Sequence, residues 1–126
     1  MLVNYAIVFV SDMSRSVAFY RDVVGLTLKF ESPGWTEFAT EGATLALHKS
    51  AVPAPSEPEP AELPAGRCRT GFQVPDLDEF HQRMVSHDVP CVEPPADVFG
   101  ARVAQYRDPD GMAFSVGEAR GKSLHP

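Results

Sequence analysis

One grammar occurs twice in this chain, with its landmarks 64 positions apart. The first copy is an apolar run, Tyr5-Ala6-Ile7-Val8-Phe9-Val10, followed by Asp12 and a helical pattern over 14–24. Val17, Phe19, Tyr20, Val23 and Val24 supply the apolar stripe of that helix. The second copy is Arg69-Thr70-Gly71-Phe72-Gln73-Val74, then Asp76 and a helix over 77–87 with Phe80, Met84 and Val85 as its stripe. Asp12 (or Ser14) and Asp76 each offer a side-chain oxygen to the unpaired amides of a helix start. Gly25 and Asp88 stand at the two helix ends, where the chain turns left-handed; glycine does so freely and aspartate better than most residues. Such a duplication requires the segments after the two helices to match as well.

Three strands are expected after each helix. In the first copy they fall at 27–31, 35–39 and 44–49, and in the second at 91–93, 101–107 and 112–118. Pro33-Gly34, Glu41-Gly42, Pro94-Pro95 and Asp110-Gly111 carry the turn signals between them. The fold class is therefore α+β, built from two β-helix-β-β-β modules, one at 1–50 and one at 67–119. Between them, residues 51–66 are rich in proline and glutamate; they are expected to form an extended, solvated connector without ladder hydrogen bonds. Residues 120–126 are expected to fray.

At 126 residues the chain has the length of one domain, and 44% hydrophobic with 22% charged residues is ordinary for a globular protein. A net charge of -6 and the lack of a basic run argue against a nucleic-acid partner. No apolar run is long enough to span a membrane, and Met1-Leu2-Val3-Asn4-Tyr5 lacks the basic start of a secretion signal, so a cytoplasmic location is expected. Cys68 and Cys91 sit in no metal-ligand spacing and are expected as packed thiols rather than a disulfide. His81, His87 and His125 suggest no site, and no phosphate loop or Ser/His/Asp or Cys/His nucleophile pattern occurs.

Val10-Ser11-Asp12, the run Ser16-Val17-Ala18-Phe19-Tyr20-Arg21-Asp22-Val23-Val24-Gly25-Leu26 and the closing Asp108-Pro109-Asp110-Gly111 resemble the vicinal oxygen chelate superfamily of glyoxalase, bleomycin-resistance and dioxygenase type. The resemblance covers the chain apart from the connector and tail. It implies eight strands in a curved mixed sheet around a central cleft, with helices on the convex face and frequent homodimers. In metal-dependent members, four ligands come from the first and fourth strands of each module. The resemblance carries these onto Tyr5, Ala46, Arg69 and Ser115. Alanine has no donor, arginine stays protonated, and tyrosine and serine are weak ligands. No metal and no cofactor are expected, and the closest branch is the metal-free, bleomycin-resistance-like one.

Strand alternation assigns the faces. Phe38, Leu45 and Leu47 go to the helix-covered side with Met112, Phe114 and Val116. Tyr5, Ile7, Phe9, Trp35, Glu37, Ala46, His48, Arg69, Gly71, Gln73, Ala113, Ser115 and Gly117 go to the other. The candidate ligand-binding set is Tyr5, Ile7, Trp35, Glu37, His48, Arg69, Gln73 and Ser115, with Tyr106 a further aromatic candidate: flat apolar surfaces with a few polar anchors. The main reading is a metal-independent protein that sequesters a small organic ligand such as an antibiotic or metabolite. An enzyme of the same superfamily, a lyase, isomerase or dioxygenase, would need a non-standard site with Arg69 as electrophile and Glu37 or His48 as base. A third alternative is a dimeric scaffold whose cleft its own side chains fill.

Overall fold

The computed structural model describes residues 1–118. It divides into two compact units, one ending at Ser56 and the other starting at Glu57. In the first unit, β1 (Tyr5–Val10) leads into α1 (Met13–Ala18), which continues as a π-helical segment, Phe19–Val24, before β2 (Thr27–Phe30), β3 (Trp35–Ala39) and β4 (Thr44–Lys49). The second contains β5 (Gly71–Val74), α2 (Leu77–Ser86), β6 (Cys91–Val98), β7 (Ala101–Arg107) and β8 (Ala113–Glu118). Each unit is thus a βαβββ module. The strands form two four-stranded mixed sheets, ordered β1-β4-β3-β2 and β5-β8-β7-β6, with β1∥β4 and β5∥β8 parallel and the other pairs antiparallel.

The helix signals in the sequence act as expected. Asp12 Oδ1 accepts from Arg15 N–H and Asp76 Oδ1 from Glu79 N–H, both at 3.0 Å. Gly25 takes φ 98° and Asp88 φ 56°. Gly25 and Leu26 N–H both bond to Tyr20 O, which closes the widened last turn. The terminal turn is built around Asp108, whose Oδ1 accepts from the amides of Asp110 and Met112 while Gly111 turns at φ 83°. A side chain that mimics a turn carbonyl in this way leaves glycine the favoured residue three places on.

Each helix covers one sheet face. Val8, Val10, Val17, Tyr20, Phe38, Leu45 and Leu47 are buried in the first unit, and Leu77, Phe80, Met84, Ala104, Tyr106, Phe114 and Val116 in the second. Burying such a side chain stabilises by about 1.5–3 kcal/mol, so these clusters hold each module together.

Several expectations fail locally. Val85 is 59% exposed, and Leu77, a full two turns earlier, completes the stripe of α2 instead. Pro94-Pro95 is not a turn: both lie inside β6, where the register slips between Glu93 and Ala96. β6 is a sheet edge, and an edge strand with a bulge has no ladder bond there for proline to break. Cys68 and Cys91 are free thiols, as expected, but both residues are exposed rather than packed. The connector is exposed through Pro58 yet not solvated throughout. Glu59 N–H bonds to Gly111 O at 2.9 Å, and the carbonyls of residues 59–61 accept from two arginines. Prolines cannot donate, but their carbonyls accept, and the guanidinium groups supply the donors. The expected tail at 120–126, with His125, lies outside the described residues.

Candidate functional site

The face of each sheet opposite its helix has a lattice set by register. In the first unit, Ile7–Ala46–Glu37 and Phe9–His48–Trp35 form two cross-strand rows. Tyr5, Ile7 and Phe9 are 42%, 46% and 62% exposed, so this apolar face is uncovered by the helix that buries Val8 and Val10. The rings contact edge to face: Tyr5–Trp35 at 6.0 Å, Trp35–His48 at 6.0 Å and Phe9–His48 at 5.2 Å between centroids. Trp35 Nε1–H donates to Glu37 Oε2 at 2.8 Å, and Lys29 Nζ lies 3.6 Å from Glu37 Oε1. The indole is therefore oriented, and the carboxylate is held beside the small Ala46. Five of the eight candidate residues (Tyr5, Ile7, Trp35, Glu37 and His48) share this surface.

In the second unit the equivalent rows are Gly71–Ser115–Gln105 and Gln73–Gly117–Val103. Arg69 precedes β5. Its Nη1 donates to Gln105 Oε1 at 3.0 Å and to Ala61 O at 2.7 Å; its Nη2 donates to Pro60 O at 3.0 Å and contacts Glu59 Oε1 at 3.4 Å. Ser115 and Gln73 lie on this face, two residues apart in the ladder. Glu59 and Gln105 were missed in the sequence. Gln105 shares the alternation of Val103 and Arg107, so applying the repeat to β7 would have found it; no local signal marks Glu59.

The same repeat would have corrected Tyr106. It is buried on the helix side, with Oη 2.8 Å from His81 Nδ1 and its ring against Phe80 and Phe114. It pairs with Phe114 as Phe38 pairs with Leu45, so it is core and not part of the open face. His81, which suggests no site in the sequence, is half-buried as its hydrogen-bond partner. Burial, and the neighbouring Cys91 after it, push the Tyr106 phenol far above the ordinary tyrosine range. Although Cys91 is exposed as a residue, partial desolvation of its thiol pushes it up, with Glu93 adding to the effect, which lowers its thiolate fraction.

A divalent metal does not fit the four positions carried over from the resemblance. Ala46 has no donor and is fully buried, and Arg69 is a cation already engaged with four acceptors. Among the described residues, no group of three or more His, Cys, Asp or Glu side chains is placed to hold a metal. A hollow of about 580 Å³ lies at the start of α1, lined in part by Asp12, Glu31 and Lys49, and none of the candidate residues faces it. No described helix is long and apolar enough to cross a membrane.

Residues 2–116 match the profile of the Glyoxalase/Bleomycin resistance protein/Dioxygenase superfamily. The chain is 27% identical over 122 residues to the uncharacterized protein YaeR of Escherichia coli (strain K12), covering 92% of this chain and 95% of that one. It is 25% identical over 122 residues to the metallothiol transferase FosB of Staphylococcus saprophyticus, covering 90% and 74%. A lactoylglutathione lyase from Agrobacterium tumefaciens shares the fold, with a TM-score of 0.71, 24% identity and coverage of 98% and 95%.

Proposed function

Since the chain belongs to the Glyoxalase/Bleomycin resistance protein/Dioxygenase superfamily, we propose that it is a metal-independent binder of a small organic molecule, which it takes against the open face of β1, β3 and β4. The observation that carries this reading is Trp35: an oriented indole, flanked edge-on by Tyr5 and His48, on an exposed apolar face with one fixed carboxylate. A flat apolar ligand gains ring contacts worth about 0.5–1.5 kcal/mol each beyond the area it buries. The carboxylate of Glu37 adds a directional acceptor for a donor on the ligand. The poor donor set at Tyr5, Ala46, Arg69 and Ser115 supports independence from metal.

Trp35 is the single tryptophan, so its emission reports this face directly. Titration of the protein with a library of aromatic small molecules should yield saturable quenching that survives a chelator. Quenching that appears only after loading with zinc, nickel or manganese would refute metal independence. The homodimer implied by the resemblance is part of the same reading, and sedimentation equilibrium tests it.

A second reading, an enzyme with a non-standard site, draws on Glu37, whose fixed geometry suits a general base. The metallothiol transferase and the lactoylglutathione lyase among its relatives are enzymes by name. Turnover of lactoylglutathione that Glu37→Gln abolishes, with binding retained, would favour this reading over sequestration.

A further inference from the structure

Glu59 takes the place of a main-chain carbonyl. In the first unit, Thr44 N–H at the head of β4 bonds to Asn4 O at 3.0 Å, which extends the β1–β4 pair to its first residue. At the corresponding head of β8, Ala113 N–H bonds instead to the carboxylate oxygen Glu59 Oε1 at 3.2 Å. The β5–β8 ladder accordingly begins two residues later, at Gly71 and Ser115. The same Oε1 lies 3.4 Å from Arg69 Nη2. An amide N–H and a guanidinium thus converge on one carboxylate oxygen, which is the donor arrangement that recognises carboxylates.

The fit of Glu59 to Arg69 is incomplete. The contact is single and long for a charge-assisted bond, and Arg69 Nε–H is buried without an acceptor. A buried donor left unpaired is costly, and a carboxylate lying side-on along the Nε–Nη2 edge would satisfy it. Exchanging the Glu59 side chain for such a group need not release the connector. Glu59 N–H stays on Gly111 O, and Arg107 Nε and Nη2 hold Glu59 O at 3.2 and 3.1 Å.

We propose that Arg69 and the Ala113 amide form a carboxylate-binding site that the chain's own Glu59 fills, and that a small free carboxylate enters by displacing the Glu59 side chain and engaging Arg69 through Nη2 and Nε–H. The site lies within the second unit and is independent of the reading based on Trp35.

The test is an acetate titration of the full chain and of Glu59→Ala, followed by NMR at the Ala113 amide and Arg69 Nε–H, with chloride at matched ionic strength as control. Acetate should bind E59A at least about tenfold more tightly than wild type, the scale of one charge-assisted hydrogen bond, and should shift both resonances. Equal affinity for the two proteins, or shifts that chloride reproduces, would overturn the proposal. If E59A fails to fold, Glu59→Gln replaces it: the carboxamide keeps an oxygen for Ala113 N–H and removes the charge facing Arg69. Acetate must then move Arg69 Nε–H at about tenfold lower concentration in E59Q than in wild type, and the absence of that gain overturns the proposal equally. Trp35 emission should be unmoved throughout, so failure of this proposal and failure of the binding reading are separable.

Discussion

The two modules use one register for opposite chemistries. Ile7, Phe9, Ala46, His48, Trp35 and Glu37 occupy the lattice of the first sheet; Gly71, Gln73, Ser115, Gly117, Val103 and Gln105 occupy the same lattice in the second. The first face carries rings and lies exposed. The second is small and polar, and at its head the connector is pinned by Arg69 and Arg107. The lesson is that a duplicated backbone constrains where side chains point and nothing about what they do. The helix sides are hydrophobic in both modules, since burial penalises polar groups there, with the buried Ser16 and Thr36 as exceptions in the first. The open faces were free to diverge.

The largest test of this contrast is Arg69→Ala. Arg69 is only 16% exposed in its side chain and serves four acceptors, so its removal should destabilise the second unit by about 2–3 kcal/mol, measured by urea unfolding followed by circular dichroism. A cost near zero would mean that the connector does not depend on it. Tyr106→Phe comes next. Losing the hydrogen bond to His81 should cost about 1 kcal/mol at neutral pH. The pH dependence has a definite sign. Because the folded phenol is raised above its unfolded value, its stabilisation is complete below the ordinary tyrosine range and is lost as pH rises through that range toward the folded value. The variant should lack this alkaline loss, and an unchanged alkaline slope would show that another group causes it. The smallest effect is expected on the exposed face: Tyr5→Ala should change stability by no more than about 0.5 kcal/mol while weakening any ligand that quenches Trp35. A large stability loss at Tyr5 would make the first face structural and erase the contrast.

Much of the fold was legible because its signals are local. Asp12, Asp76, Gly25 and Asp88 act through their own backbone neighbourhoods, and strand alternation assigned Phe38, Leu45, Leu47, Phe114 and Val116 correctly to the covered faces. Tyr106 was misplaced for want of parity: an aromatic in a strand fits either face until its cross-strand partner is known. Glu59 was illegible for a different reason. Its partners Arg69, Arg107 and Ala113 are 10, 48 and 54 residues away, and nothing in a proline- and glutamate-rich run distinguishes a docked glutamate from a solvated one. Candidate residues on the first face followed from alternation alone, whereas the acceptors around Arg69 required the tertiary structure.

The proline pair within β6 has a consequence for how copies of this protein meet. A strand at the rim of a sheet invites another chain to continue the ladder, which is the first step toward fibrous growth. Pro94 and Pro95 carry no amide N–H, so this stretch of β6 has fewer donors for an incoming strand, and the slipped register beside them bends the line that strand would have to follow. Residues that looked like punctuation between strands instead guard this rim of the second sheet against open-ended polymerisation.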